Sequence, residues 1–213
     1  MSGVEEVLEN DSPFSLAWKR LKRNKAALFG GTIIFLYLLI ALLAPVIYSG
    51  NPSSPDLMHS LETPTWEHPL GTDELGRSIL GRIIHGSRPS LLIAIGVTFF
   101  GLIIGVPIGL ISGYAGGRVD FTIQRLNDIL LAFPGFLLAL ALVAVLGVGL
   151  KNTVLSIGIS MVPLYIRLVR GCTLSVKENV YVEAAHSVGT RNRVILYRHI
   201  LPNVMVPIIV QTN

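Results

Sequence analysis

Long apolar runs alternate with short charged blocks along this chain, and the length of each run predicts an element. The first, Ala26 to Tyr48 (AALFGGTIIFLYLLIALLAPVIY), has no charged residue and holds thirteen Leu, Ile, Phe and Val. At about −0.3 to −0.6 kcal/mol each on an insertion scale, these outweigh the glycines and Pro45. The run is also too long for the apolar stretch of a signal peptide, roughly 7 to 15 residues, so it predicts an uncleaved spanning helix. Further spans are predicted at Ser90 to Tyr114, Leu126 to Leu150 and Thr153 to Val169. Arg167 interrupts the last of these and must snorkel to the interface. The final run, Val204 to Val210, is too short to cross about 30 Å of hydrocarbon at about 1.5 Å per residue. The chain is therefore expected to stop inside a fifth span, with more helix after Asn213.

Composition agrees with this pattern. Hydrophobic residues make up 51% of the 213 positions and charged residues 14%, with a mean hydropathy of +0.63, which marks a polytopic membrane protein. Charge also sets the orientation. With the N-terminus inside, thirteen of the seventeen Lys and Arg fall on the cytoplasmic side, as the positive-inside rule requires. Lys19, Arg20, Lys22, Arg23 and Lys25 lie just ahead of the first span. There Ser12 as N-cap, Pro13 at the first helical position and apolar Phe14, Leu16, Trp18 and Leu21 predict a short interfacial helix. Cys172 is the only cysteine, which rules out an intrachain disulfide or a cysteine zinc cluster; it is read as a small buried residue.

The external segment, residues 49 to 89, reads as two parts. NPSSPDLMHSLETPTWEHP is an irregular loop. In GTDELGRSILGRIIHGSRPS, Thr72 as N-cap, Asp73 and Glu74 in the first turn and apolar Leu75, Ile79, Leu80, Ile83 and Ile84 predict a separate amphipathic surface helix. Within it, GRIIHGSR lacks the Lys and hydroxyl pair of a phosphate loop and lies on a helix, so it is not expected to bind ATP. The five histidines show no metal-ligand spacing on a common face.

Gly101, Gly105, Gly109 and Gly113 recur every fourth residue. Such a stripe lets a second helix approach closely, either within the chain or at a subunit interface or moving seam. Pro107, Pro134 and Pro163 lie inside predicted spans, where each can kink its helix. Asp128, at the edge of the third span, reads as a hydrogen-bonding interfacial carboxylate, with a proton or substrate relay as the alternative.

The stretch EAAHSVGTRNRVILYRHILPN, from Glu183 to Asn203, is different in kind. If residues 177 to 203 entered the bilayer, Lys177, Glu178, Glu183, Arg191, Arg193 and Arg198 would cost about 3 kcal/mol each, about 18 kcal/mol in all. The segment must stay in the cytoplasm. Val180 to Val188 is predicted as a short helix, Gly189 as its left-handed C-terminal cap, Thr190 as the cap of a second helix and Pro202 as that helix's end.

Glu183, Ala184, Ala185 and Gly189, followed by Leu201 and Pro202, match the EAA motif of permease subunits in binding-protein-dependent ABC importers. His199 stands where the general motif has isoleucine. The variant RHILPN, from Arg198 to Asn203, resembles the dipeptide and oligopeptide branch. HPLGTDELGRSIL (68 to 80), ISGYAGGRVD (111 to 120) and DILLAFPGFLLALALV (128 to 143) resemble its C-type subunit, so the resemblance covers nearly the whole chain.

The resemblance implies an all-α type I importer transmembrane domain of six spans, here ending within the fifth. Its parts would be a cytoplasmic N-terminal segment (1 to 25), the first span with the external segment (26 to 89) and a core permease domain (90 to 213). Residues 177 to 203 would be the coupling-helix loop, with Glu183, Ala184, Ala185, Gly189, His199, Leu201 and Pro202 as its functional positions. Small Ala184 and Ala185 would permit close docking on an ATPase. The implied partners are a homologous second permease, two cytoplasmic ATPases, an extracytoplasmic substrate-binding protein and the lipid bilayer, with no nucleic acid. ATP and Mg would bind the ATPases, and this chain would hold no cofactor and be no enzyme. The implied location is the cytoplasmic membrane of a bacterium or archaeon, with the N-terminus inside. Nickel or glutathione import is the alternative cargo. A membrane enzyme or a non-ATP-coupled channel or scaffold is the alternative class.

Overall fold

The computed structural model describes residues 21–211. Helices provide nearly all the regular structure among them, together with an isolated antiparallel bridge between Thr72 and Ser78. In chain order they are α1 (Lys25–Ile47), α2 (Ile79–Ala115), α3 (Gly117–Leu131), α4 (Gly135–Leu146), α5 (Leu150–Lys177), α6 (Val180–Ser187) and α7. The last begins at Asn192–Val194, widens into a π-helical stretch at Ile195–Ile200 and continues as Leu201–Gln211. Contacts divide the chain after Leu91 into two compact units. Most of the interfacial helix expected from Ser12 onward lies outside the described residues.

In the first unit, Asn24 caps α1 by accepting from the N–H groups of Ala26 and Ala27. The helix buries Ala41 and Ala44 and leaves Phe29, Leu42 and Val46 more than 70% exposed, the distribution expected of a helix whose surroundings are lipid. Pro45 lies inside it and cannot donate to the Ala41 carbonyl. The guanidinium of Arg88 takes that place, with Nε 2.7 Å from the Ala41 oxygen and Nη2 2.9 Å from that of Leu42. One face of α2 receives Tyr48. A methyl at Gly81 would lie 2.6 Å from the Tyr48 ring, and His85 Nε2 lies 2.9 Å from the Tyr48 carbonyl oxygen.

The expected separate surface helix beginning at Thr72 is not formed. Asp73 instead folds the chain into a tight turn, accepting from the N–H groups of Leu75 and Arg77, from Arg77 Nε at 2.8 Å and from Arg82. These donors, Arg77 foremost, hold its carboxyl far below the usual carboxylate range. Thr72 is buried and pins the preceding loop, its hydroxyl donating to the His59 carbonyl and accepting from the Glu62 N–H. An aspartate that captures nearby backbone donors competes with the first turn of a helix, so helix begins only at Ile79.

From there α2 runs 37 residues without a break, about 55 Å at 1.5 Å per residue. The expected boundary at Pro89 is absent. A proline removes one backbone bond, whereas unwinding in an apolar medium would strand several polar groups.

The second unit corrects the third predicted span. It is not one helix from Leu126 to Leu150 but α3 and α4, bent by 81° across residues 132 to 134. Pro134 stands at the N-cap of α4, and a proline disfavours helical backbone in the residue before it. At 12 residues, α4 reaches only about 18 Å, so the pair forms a broken span or a re-entrant hairpin. Gly116 and Gly117, with φ of +65° and +53°, let α2 turn directly into α3.

The fourth predicted span is also longer than expected, since α5 extends through Arg167 and Arg170 to Lys177. Ion pairing explains the extension. Arg170 makes two 2.6 Å bonds to Asp120, and Arg167 Nη2 lies 3.4 Å from Asp128. Arg167 therefore pairs with a neighbouring helix as well as lying in the open. Asp120 also accepts from Ser112 of α2, whose oxygen accepts from Gln124, which joins α2, α3 and α5 at one point.

The glycine stripe faces α5 of the same chain. A methyl on Gly101 or Gly105 would lie about 2.5 to 2.6 Å from Tyr165 atoms; on Gly109, 2.8 Å from the Ile166 carbonyl oxygen; on Gly113, 2.9 Å from that of Arg170. The stripe thus lets α2 approach α5 of the same chain closely. The main core lies toward one end of this unit, where Leu110, Val169, Val182, Ala185, Ile195, Ile200, Val204 and Ile208 meet. Half-buried Cys172 packs against it.

Candidate functional site

The EAA stretch folds as a short helix held between two long ones. Asn179 occupies the N-cap of α6, its carbonyl accepting from Val182 N–H at 2.9 Å. The helix then shows two faces. Val182 and Ala185 are buried in the core, while Glu183, Ala184 and His186 are exposed and Val180 and Val188 are each 80% exposed. Ala184 and Ala185 therefore have different roles. The small side chain of Ala185 seats α6 on its own chain, and that of Ala184 leaves the outer face open.

Gly189 has φ +77°, its N–H donates to the His186 carbonyl at 2.9 Å, and the Thr190 N–H reaches the Ala185 carbonyl at 3.0 Å. This pair of bonds closes the last carbonyls of a helix through a left-handed residue. Thr190 is thus used in ending α6 and does not cap the next helix; Arg191 holds that position.

Nor does Pro202 end α7. The N–H of Leu201 bonds to the Leu196 carbonyl, five residues back, and helix continues to Gln211. A wide turn placed just before a proline relieves the clash its ring would make with the preceding turn. His199 lies half-buried in this wide turn, and its carbonyl accepts from Asn203 Nδ2 at 2.7 Å. Its neighbour Ile200 is completely buried, with half-buried Leu201 packed against the same core. Continuity also corrects the reading of Val204 to Val210 as a separate short run. The stretch Asn192–Val210 is 19 residues and apolar enough to cross a membrane by length and composition.

A polar cluster that the sequence reading missed binds α6 to its neighbours. The Tyr114 hydroxyl lies 3.1 Å from His186 Nε2 and donates to Asn192 Oδ1 at 3.0 Å. The two rings stack, with centroids 6.0 Å apart and planes 9° from parallel. Lys177 Nζ donates to the Tyr114 carbonyl at 2.8 Å and lies 5.5 Å from its ring centroid. The one available signal was a tyrosine at the end of an apolar run, a common boundary residue. Its partners, 63 to 78 residues away, could not be read from spacing. Of the other predicted positions, Asp128 meets Arg167 and Pro134 marks the α3–α4 bend.

The pattern that defines the binding-protein-dependent transport system inner membrane component family matches residues 105–212. That of the N-terminal TM domain of oligopeptide transport permease C matches residues 12–64. The chain is 44% identical over 202 residues to the dipeptide transport system permease protein DppC of Alkalihalophilus pseudofirmus, covering 95% of this chain and 66% of that protein. It is 40% identical over 208 residues to the di/tripeptide transport system permease protein DppC of Pseudomonas aeruginosa, covering 95% and 69%. To the glutathione transport system permease protein GsiD of Pectobacterium atrosepticum it is 40% identical over 200 residues, covering 93% and 66%. The chain spans about two thirds of the length of these relatives. With its helices of membrane-spanning length, it belongs to the binding-protein-dependent transport system inner membrane component family.

Proposed function

We propose that this chain is a permease subunit of an ATP-driven importer that moves dipeptides or oligopeptides across the cytoplasmic membrane by alternating access. The observation that carries the reading is the two-faced helix α6, seated by Val182 and Ala185 and presenting Glu183 and Ala184 outward, with Gly189 closing its end. A short rigid helix between two spans can convert closure of an ATPase on its outer face into rotation of those spans, shifting the balance between inward and outward states.

Two cytoplasmic ATPases would hold ATP and Mg, a homologous second permease would complete the pathway, and an external binding protein would deliver cargo. The N-terminus would be cytoplasmic. Glutathione, itself a small peptide, is the second reading, favoured by the 40% identity to a glutathione permease. Copurification of an ATPase with the permease, and loss of uptake in Gly189→Pro, test the coupling. Mass spectrometry of the ligand carried by the cognate binding protein tests the cargo: short peptides are expected, and nickel or glutathione would replace that assignment.

A further inference from the structure

A helix that transmits motion must be held to what it moves. Val182 and Ala185 press α6 onto the core, but apolar contact is non-directional and permits α6 to slide or roll. Direction comes from hydrogen bonds, and Tyr114 of α2 makes one to His186 of α6 and one to Asn192 at the start of α7.

The hydroxyl of Tyr114 has one proton, and it goes to Asn192 Oδ1. The His186 contact must then run the other way, with His186 carrying a proton on Nε2 and donating it to the Tyr114 oxygen. Backbone, ring and hydroxyl of this one residue thus engage the ends of α5, α6 and α7, since its carbonyl also accepts from Lys177. That carbonyl lies in the last turn of α2, where helix carbonyls have no partner within the helix. Nearer the middle of α2 the contact opens. Val106, Pro107 and Leu110 face Leu196, Tyr197 and Leu201 across a cavity of about 100 Å³. The polar joint therefore sits beside a space between α2 and α7.

We propose that Tyr114 is a positioning residue that makes α2 follow α6, so that movement imposed on α6 reaches the α2 span instead of being absorbed in the turns at either end of α6. The inference rests on α6 being the coupling helix. Each bond is solvent-accessible and individually modest; what they supply is a fixed direction.

Tyr114→Phe keeps the ring stack and the lysine contact and removes both hydroxyl bonds. In the complete transporter reconstituted in proteoliposomes, uptake per ATP hydrolysed should fall about fivefold or more, and amide exchange across residues 180 to 192 should quicken about fivefold. His186→Gln, which keeps a donor, should retain more of the ratio than His186→Ala. A proportional loss of uptake and hydrolysis in Tyr114→Phe would mark a merely structural residue and overturn the proposal, as would an unchanged ratio or unchanged exchange. Gly189→Pro separates the two ideas. If it leaves uptake intact, the coupling reading itself fails; if it abolishes uptake while Tyr114→Phe keeps the normal ratio, only the role of Tyr114 fails.

Discussion

Arg88 supplies Ala41 with the hydrogen bond that Pro45 cannot give. Its Nε lies 2.7 Å from the Ala41 oxygen, the acceptor that a residue with an N–H at position 45 would use within α1. Arg88→Leu should therefore destabilise this unit by about 1.5 to 3 kcal/mol, the range for a bond from a charged donor. Pro45→Ala restores an internal donor and should blunt the loss. Thermal unfolding of the single and double variants in detergent measures the coupling, expected at about 0.5 to 3 kcal/mol; additive losses would deny the compensation.

The glycine stripe predicts a size limit. Gly109→Leu must displace the Ile166 backbone and should cost about 1 to 3 kcal/mol through overpacking. Gly171, where an added methyl meets nothing within 4 Å, is the control. Gly171→Ala should be neutral or stabilise α5 by up to about 1 kcal/mol. Equal effects of the two in a melting assay would show that the α2–α5 contact sets no size limit on the stripe.

At Gly189 the constraint is conformational. No atom lies within 4 Å of a methyl built there, yet φ is +77°. Gly189→Ala should cost about 1 to 2 kcal/mol and fray the end of α6, and Gly189→Asn should cost less. Amide exchange at Gly189 and Thr190, whose N–H groups close the helix, reads the difference.

The turn around Asp73 should resist acid. The folded carboxyl of Asp73 titrates below its ordinary value because the Arg77 guanidinium and two backbone N–H groups favour the charged form. Its contribution is present at neutral pH and is lost only as pH falls through that lowered folded value. The Leu75 and Arg77 amide resonances should therefore hold steady near pH 4, where ordinary carboxylates titrate, and a transition there would reject the assignment. The nearby Asp56–His59 pair adds an upper limit. Asp56 holds the His59 imidazolium above its usual value, so that contribution is present at low pH and is lost as pH rises through the raised folded value.

Much of the fold was legible because burial in lipid demands long apolar runs and turns demand glycine. Lys25–Ile47 differs from the predicted first span by one residue at each end, and Gly189 adopts the predicted left-handed conformation. The boundaries that differ lie where a local signal competes with its surroundings. Pro89 and Pro202 look like helix ends in sequence, but the helix on either side keeps its hydrogen bonds, aided at Pro202 by a π turn. Pro134 was expected only to kink its span, and it breaks it. Thr72 looks like a cap, yet the donors around Asp73 organise a turn first.

The sequence by itself determined which segments prefer lipid, where the polar linker lies and which motif it carries, because hydrophobic transfer and turn chemistry are properties of consecutive residues. Tertiary structure decided what those residues face. Ala184 and Ala185 are adjacent and identical, but α6 buries one and exposes the other. Arg167 and Arg170 remain on one helix because Asp128 and Asp120 approach from another. Tyr114 finds His186 across 72 residues of chain. Such pairings depend on helices meeting at particular angles and heights, and no local spacing encodes that.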